Sequence, residues 1–149
     1  MKFKILVSVI GVLLLAALAL VLSFGHPGSI NEIYGTYFVD YGFANDTIIL
    51  KDNGQFVQTI KVIADGRVVT AKGTWQFNIS DHDVVFDENY LMVIDGFSKM
   101  IPDFDHSTRK SISILPVRRE YGRLVIGGDD LPWGREGIDI PYKKQPDAS

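Results

Sequence analysis

Residues 69–79 read VTAKGTWQFNI, and apolar and polar side chains alternate along the whole stretch. The odd positions run from Val69 through Trp75 to Ile79, whereas the even positions carry Thr, Lys, Gln and Asn. A period of two places one set of side chains on a buried face and the other in water, as in a β-strand with one wet face. The stretch therefore predicts a β-strand with Trp75 in the core.

Turn signals extend this strand into a meander. Asp52-Asn53-Gly54 separates apolar runs at 47–51 and 55–63, and Asp65-Gly66 joins the second run to the strand at 69–79. Asn-Gly and Asp-Gly readily adopt the positive φ angles that tight hairpins require. These three segments are therefore predicted to pair as antiparallel neighbours.

The rest of the chain beyond residue 28 carries more short strand patterns, at 35–41, 84–87, 90–94, 111–121, 123–127 and 138–142. Short strands with turn signals about every 8–12 residues are typical of an antiparallel barrel or sandwich. Pro116 is expected at a sheet edge or a bulge because it has no N–H to donate. Residues 95–110, with Gly96, Pro102 and three aspartates, are predicted to form a surface loop. No linker interrupts residues 29–149, which are predicted to be a single all-β domain.

The N-terminus carries a targeting signal. Residues 5–24 contain no charge, and as a helix they would be about 30 Å long, the thickness of a bilayer core. Lys2 and Lys4 precede this run, and the next Lys or Arg is Lys51. This asymmetry predicts a single-pass protein of the cytoplasmic membrane, with the N-terminus inside and the domain outside.

Residues 1–28 fit either a signal-anchor or a signal peptide. The length of the apolar run favours an uncleaved anchor, whereas Ser23-Phe24-Gly25 has the small residues of a cleavage site before His26. Cleavage would leave the domain secreted or periplasmic. Both outcomes place the domain in the cell envelope or beyond it.

Composition excludes several classes of function. The chain has no cysteine, which excludes disulfides, thiolate chemistry and a lipid-modified N-terminal Cys. Its net charge is −3, and removing Lys2 and Lys4 leaves −5 on the exported part. An acidic domain outside the membrane is a poor nucleic-acid binder, so no nucleic-acid partner is expected.

Two segments of the sequence are similar to each other. Gly35-Thr36-Tyr37 and Gly73-Thr74-Trp75 are each followed by an apolar strand pattern, at 48–50 and 84–86. The run over residues 33–87, with GTY, TIILKDNGQFVQT, GTW and VVF in that order, resembles the small lipocalin-like β domains of uncharacterised bacterial envelope proteins. The resemblance implies a barrel-like shape and no particular activity.

Catalytic motifs are weak or missing. Ser107-Thr108-Arg109-Lys110 has the S-x-x-K form of penicillin-recognising enzymes, but the Lys-Thr-Gly strand that accompanies it is not in the sequence. The sequence also has no Gly-x-Ser-x-Gly elbow, phosphate-binding loop or His-Glu-x-x-His helix. The chain is therefore predicted to be non-catalytic and to use no cofactor.

Acidic and histidine residues cluster in two places. The first group is Asp81, His82 and Asp83, and the second is Asp103, Asp105 and His106. Imidazole and carboxylate groups suit Zn²⁺ or Mn²⁺, but the same residues are common in solvated turns. The prediction is that neither group holds a metal.

Aromatic residues are dense between positions 34 and 43. They are either core residues or the lining of a pocket for an apolar or ring-bearing ligand. Trp133 lies between Pro132 and Gly134 and is the aromatic residue expected at the surface. The candidate ligand-binding residues are Tyr37, Tyr41, Phe43 and Trp133.

Three arginines in the last predicted hairpin form a candidate patch for an anionic partner: Arg118, Arg119 and Arg123. Such a patch fits anionic lipid head groups or an acidic partner, and a solvated strand face paired with Glu120 is the alternative. The predicted function is a non-catalytic binding module of the cell envelope, whose partner is another protein or an envelope component. The alternative is a lipocalin-like carrier of a small apolar ligand. An open interior lined by Phe and Tyr favours the carrier, whereas a filled interior with an exposed patch favours the module.

Overall fold

The computed structural model describes residues 2–87, 113–128 and 140–146. The chain begins with helix α1 (Lys2–Ser23), followed by a short 3-10 helix, η1 (Ile30–Glu32). Eight strands follow: β1 (Gly35–Asp40), β2 (Ala44–Leu50), β3 (Gln55–Val62), β4 (Val68–Asn78), β5 (Asp83–Asp87), β6 (Ser113–Glu120), β7 (Arg123–Ile126) and β8 (Tyr142–Lys144).

The strands form a closed antiparallel barrel in sequence order, in which β8 pairs back with β1. Leu50 lies opposite Phe56 in the β2–β3 hairpin, and Gln55 lies opposite Thr74 in β3–β4. Gly54 and Gly66 have φ angles of 75° and 70°, as the turn signals predicted. The meander is therefore confirmed, and of the two predicted architectures the protein adopts the barrel.

Some predicted bounds are wrong. The last strand was expected at 138–142. Instead β8 begins at Tyr142, and its residues Lys143 and Lys144 pair with β1. Pro116 lies opposite Asp83 in regular register, neither at an edge nor at a bulge. Pro116 faces Gly127 at the end of the β6–β7 ladder and has no N–H to donate to the Gly127 carbonyl. That carbonyl accepts a hydrogen bond from Arg118 Nη1 instead. The predicted strand at 90–94 and the loop at 95–110 lie outside the described residues.

The barrel has two different ends. The upper end carries the β1–β2 and β3–β4 connections, at residues 41–43 and 63–67. The lower end carries η1 and the turns at 51–54, 79–82 and 121–122. Antiparallel order places every second connection at the same end, so these groups follow directly from the topology.

The lower part of the interior is filled by large side chains. Trp75 is 2% exposed, and its Nε1 donates a hydrogen bond to the Lys51 carbonyl at 3.0 Å. Phe56 and Phe86 meet edge to face with ring centroids 5.2 Å apart. Ile33, just after η1, is fully buried and accepts a 2.8 Å hydrogen bond from the Tyr37 hydroxyl. The predicted burial of Trp75 is confirmed, and η1 closes the lower end.

The upper part of the interior is lined differently. A second cluster of buried residues consists of Ala44, Ile60, Val69 and Ala71, with Tyr41 and Phe43 packed against it. Two of these side chains are single methyl groups, so the described strands contribute less side-chain volume here than at the lower end.

The N-terminal segment meets the barrel at its lower end. Phe24, directly after α1, contacts Tyr121 edge to face at 5.4 Å, and the Gly25 carbonyl accepts a 2.6 Å bond from the Arg119 N–H. The predicted N-terminal helix is present as α1. Within the part of the chain that the structure describes, no helix has the length and apolar character of a membrane span, so the transmembrane prediction is not supported.

Candidate functional site

A cleft of about 360 Å³ opens at the lower end of the barrel, between η1, the β6–β7 turn and β8. We call it the basic cleft. Its lining residues are Glu32, Arg119, Gly122, Arg123, Leu124, Lys144, Gln145 and Pro146. Three of them are cations and one is a carboxylate, so the cleft carries a surplus of positive charge.

Backbone geometry places the two arginines of the basic cleft. Arg119 lies near the end of β6, and Arg123 begins β7 after a two-residue turn. Tyr121 and Gly122 in that turn have φ angles of 50° and 80°, the positive values of a tight hairpin turn. The turn brings the end of β6 and the start of β7 beside each other at the cleft.

Glu32 organises the cations. Its carboxylate forms an ion pair with Arg119 and accepts a 3.0 Å bond from the Gly28 N–H. Its backbone carbonyl accepts a 2.7 Å bond from Lys144 Nζ. One residue of η1 therefore ties β6 and β8 together across the basic cleft.

The predicted arginine patch is divided by the structure. Arg119 and Arg123 line the basic cleft, but Arg118 does not, because successive residues of a strand point to opposite faces. Arg118 donates to the carbonyls of Gly127 and Gly128 at 2.8 and 2.7 Å and pairs with Glu120 at 2.5 Å. It fastens β6 to the end of β7. Lys144 supplies the third cation of the basic cleft. The only sign of this in the sequence is that Lys144 follows another lysine, Lys143.

A second polar site lies inside the barrel. Asp46, on the inward face of β2, is fully buried. Its Oδ2 accepts a 2.8 Å bond from Gln58 Nε2 and a 2.6 Å bond from the Tyr142 hydroxyl. Among the described residues, no donor reaches Oδ1. Burial raises the pKa of Asp46 to about 7, although the two hydrogen bonds act to lower it.

We call Asp46, Gln58 and Tyr142 the interior polar cluster. Sequence reasoning missed it because the predicted apolar run began at residue 47, which left Asp46 outside the strand. The signal was available, since Asp46 is in phase with Ile48 and Leu50, which both point inward. An ionisable residue at such a position is rare unless it is paired.

The predicted ligand-binding aromatics do not form one site. Tyr37 is fully buried in the lower core, where burial raises the pKa of its hydroxyl. Tyr41 and Phe43 lie at the upper end, with their rings stacked 5.9 Å apart. Trp133 lies outside the described residues.

The predicted absence of a metal site concerns two groups of residues. Asp81, His82 and Asp83 lie at the β4–β5 turn, where the His82 ring stacks on His26 at 4.2 Å. Burial, and then the charge of Asp81, raise the pKa of Asp83, whereas His82 lowers it. Asp103, Asp105 and His106 lie outside the described residues. In the described ranges, residues 81–83 included, no group of three or more His, Asp or Glu side chains is placed to hold a metal.

The basic cleft and the interior polar cluster are thus the candidate sites, one at the surface and one inside the barrel. Comparison of the chain with protein-family models, curated proteins and solved structures yielded no match. The lipocalin-like resemblance of residues 33–87 stays a prediction, and function is argued from the two sites.

Proposed function

We propose that the barrel is a non-catalytic interaction module of the cell envelope that binds an acidic partner at the basic cleft. The observation that carries the proposal is the convergence of Arg119, Arg123 and Lys144, from three strands, on a cleft with one carboxylate. Planar guanidinium groups bind carboxylates and phosphates through two parallel hydrogen bonds. The matching partner is a protein or envelope polymer that presents such groups.

Glu32 holds the cations of the basic cleft in position in this proposal. Its ion pair holds Arg119 in place before a partner arrives. Side chains that are already oriented lose less conformational entropy on binding. A partner's carboxylate or phosphate binds the two arginines and Lys144, whereas these three cations repel a cationic partner.

The filled lower interior favours a module over a carrier. The rings of Phe56 and Phe86 meet edge to face in the lower interior, and Tyr37 and Trp75 are buried in the same cluster. A carrier of an apolar ligand needs a cavity where these rings pack. The carrier of a small apolar ligand is therefore the second-ranked function.

Residues 1–28 direct the barrel to the outer side of the cytoplasmic membrane in this proposal. Lys2 and Lys4 before the apolar run 5–24 support this orientation. Leu13, Leu14 and Leu15 of α1 are exposed, an apolar surface that is unfavourable in water. The bonds between Gly25 and Arg119 and between His26 and Val117 favour retention of the segment over its removal as a signal peptide.

Binding of defined polyanions tests the basic cleft. We expect the full-length protein to bind polyglutamate and polyphosphate at low salt, and Arg123→Glu to weaken this binding by about tenfold or more. Arg67→Glu, an equal charge change at the exposed β3–β4 turn, is the matched control and should have little effect. Equal losses for Arg123→Glu and Arg67→Glu would mean that only net charge matters, and would refute the proposed site.

A further inference from the structure

The basic cleft lies directly beside the end of α1, and this position indicates which acidic partner it meets. We propose that the partner is the surface of an anionic phospholipid bilayer, on which the lower end of the barrel lies with lipid phosphates in the basic cleft. The inference rests on the proposed function, since it names the partner of the same cleft. Four features of the described residues carry it.

The first feature is the short connection between α1 and the basic cleft. α1 ends at Ser23, and the next two residues already contact the β6–β7 hairpin. The Phe24 ring meets the Tyr121 ring at 5.4 Å. The Gly25 carbonyl accepts a 2.6 Å bond from the N–H of Arg119, which lines the cleft. Any surface that the end of α1 enters is therefore also the surface nearest the basic cleft.

The second feature is the apolar surface of α1. Leu13, Leu14 and Leu15 are 63–68% exposed. Three consecutive residues of a helix cover about 200° of its circumference, so α1 exposes apolar side chains on more than one side. A helix of this kind is unfavourable in water and is normally surrounded by a protein core or by lipid. The inference requires only that α1 contacts lipid, at any depth in the bilayer.

The third feature is a set of exposed apolar side chains around the basic cleft. Tyr121 is 85% exposed, Phe24 is 48% exposed and Ile30 is 42% exposed. Tyr121 lies in the turn between the two arginines of the cleft, and Ile30 begins η1, whose Glu32 lines the cleft. Tyrosine is enriched where membranes meet water, because its ring is apolar and its hydroxyl group is polar. Apolar side chains next to cations fit the boundary between acyl chains and phosphates.

The fourth feature is the charge of the cleft. Its three cations come from separate strands, and its carboxylate, Glu32, is already paired with Arg119. Each Lys or Arg near an anionic bilayer strengthens binding by about fivefold. Asp81, in the β4–β5 turn at the same end, is repelled by such a surface. The barrel is therefore expected to tilt with the basic cleft toward the head groups.

The cysteine-free chain allows a direct test of this tilt, because one introduced Cys is the only thiol to label. Pro146→Cys places an environment-sensitive fluorophore on the β8 side of the cleft, across from the β6–β7 turn and the end of α1. Ala64→Cys, at an exposed position of the upper end, is the matched control. Each full-length protein is reconstituted in phosphatidylcholine vesicles with or without phosphatidylglycerol, and both vesicle types contain a lipid with a quencher on its head group.

We expect the quencher to reduce emission from position 146 by about half or more in vesicles with phosphatidylglycerol, and from position 64 by less than about one-tenth. Quenching at position 146 should be weaker in phosphatidylcholine alone and at high salt, which screens the head-group charges. In the Pro146→Cys protein, Arg123→Glu should reduce this quenching by about threefold or more, whereas Arg67→Glu at the upper end should not change it.

Three results would overturn the inference: equal quenching at positions 146 and 64, equal quenching at position 146 in the two vesicle types, or equal effects of Arg123→Glu and Arg67→Glu. The comparison of vesicle types needs no charge variant, so it decides the question even if Arg123→Glu does not fold. If any of these results accompanies binding of polyglutamate and polyphosphate that depends on Arg123, the cleft binds an acidic protein or polymer and only the lipid inference is wrong. If polyanion binding also fails, the proposed function is wrong as well.

Discussion

The hydroxyl of Tyr142 donates a 2.6 Å hydrogen bond to Oδ2 of Asp46, 96 positions away in the sequence. The two residues belong to β8 and β2, which both pair with β1 on opposite sides. This bond therefore exists only when the barrel is closed through the β1–β8 ladder. It links β8 to a buried ionisable group.

The first prediction concerns pH and stability. The folded-state pKa of Asp46, about 7, lies above the value of about 3.9 for an exposed Asp. The native state therefore keeps a proton that the unfolded chain has lost between these values, so stability falls as the pH rises through about 7. Between pH 5 and 8, the wild type should lose about 2–3 kcal/mol of unfolding free energy relative to Asp46→Asn.

Urea unfolding of both proteins at several pH values measures this difference. Other titrating groups are common to the two proteins and cancel in the comparison. Parallel pH profiles for wild type and Asp46→Asn would show that Asp46 is ionised in the folded protein at pH 5 and that its burial is incomplete.

The second prediction concerns the bond from Tyr142. Tyr142→Phe removes a hydrogen bond to a carboxyl group and should cost about 1.5–3 kcal/mol at pH 8, where Asp46 is ionised. The cost should be smaller at pH 5, where Asp46 is neutral. The pKa of Asp46, followed by carboxyl NMR, should rise because the bond lowers it. Tyr121→Phe, at a side chain that is 85% exposed, is the matched control and should change stability by less than about 0.5 kcal/mol.

The third prediction concerns the strand that sets the fold. Trp75→Ala should cost about 3–5 kcal/mol, because a buried ring and its hydrogen bond to Lys51 are lost. Thr74→Ala, one residue away on the exposed face, should cost well under about 1 kcal/mol. Thermal or urea unfolding compares the two variants. Similar losses would mean that the inward and outward residues of β4 are wrongly assigned, since a slip of one residue exchanges the two faces of a strand.

The fourth prediction concerns location. A reporter enzyme that is active only after export, fused behind Ser149, should be active, because Lys2 and Lys4 orient the apolar run. Moving two lysines from positions 2 and 4 to positions 26 and 28 should reduce its activity. A fusion that is active only with a cytoplasmic reporter would refute export and the envelope location of the module.

Local features of the chain were predictable from the sequence. The alternation along β4, with Trp75 inside and Thr74 outside, needs only the two-residue period of a strand. The turns at Gly54 and Gly66 need only the conformational freedom of glycine. Both depend on neighbours in the sequence, so they can be read without knowing where the rest of the chain lies.

Both candidate sites depend on contacts between distant parts of the chain. Lys144 joins Arg119 and Glu32 only because β8 pairs with β1, and Tyr142 reaches Asp46 for the same reason. The predicted run began at residue 47 and so missed Asp46. Even with the strand extended to Ala44, its phase could not name the partners that make burial of a carboxyl group tolerable. Composition and periodicity thus determined that the chain forms antiparallel strands with an apolar face. Closure of the barrel decided which charges meet, because hydrogen bonds and ion pairs act over a few ångströms and their partners here lie up to 112 positions apart.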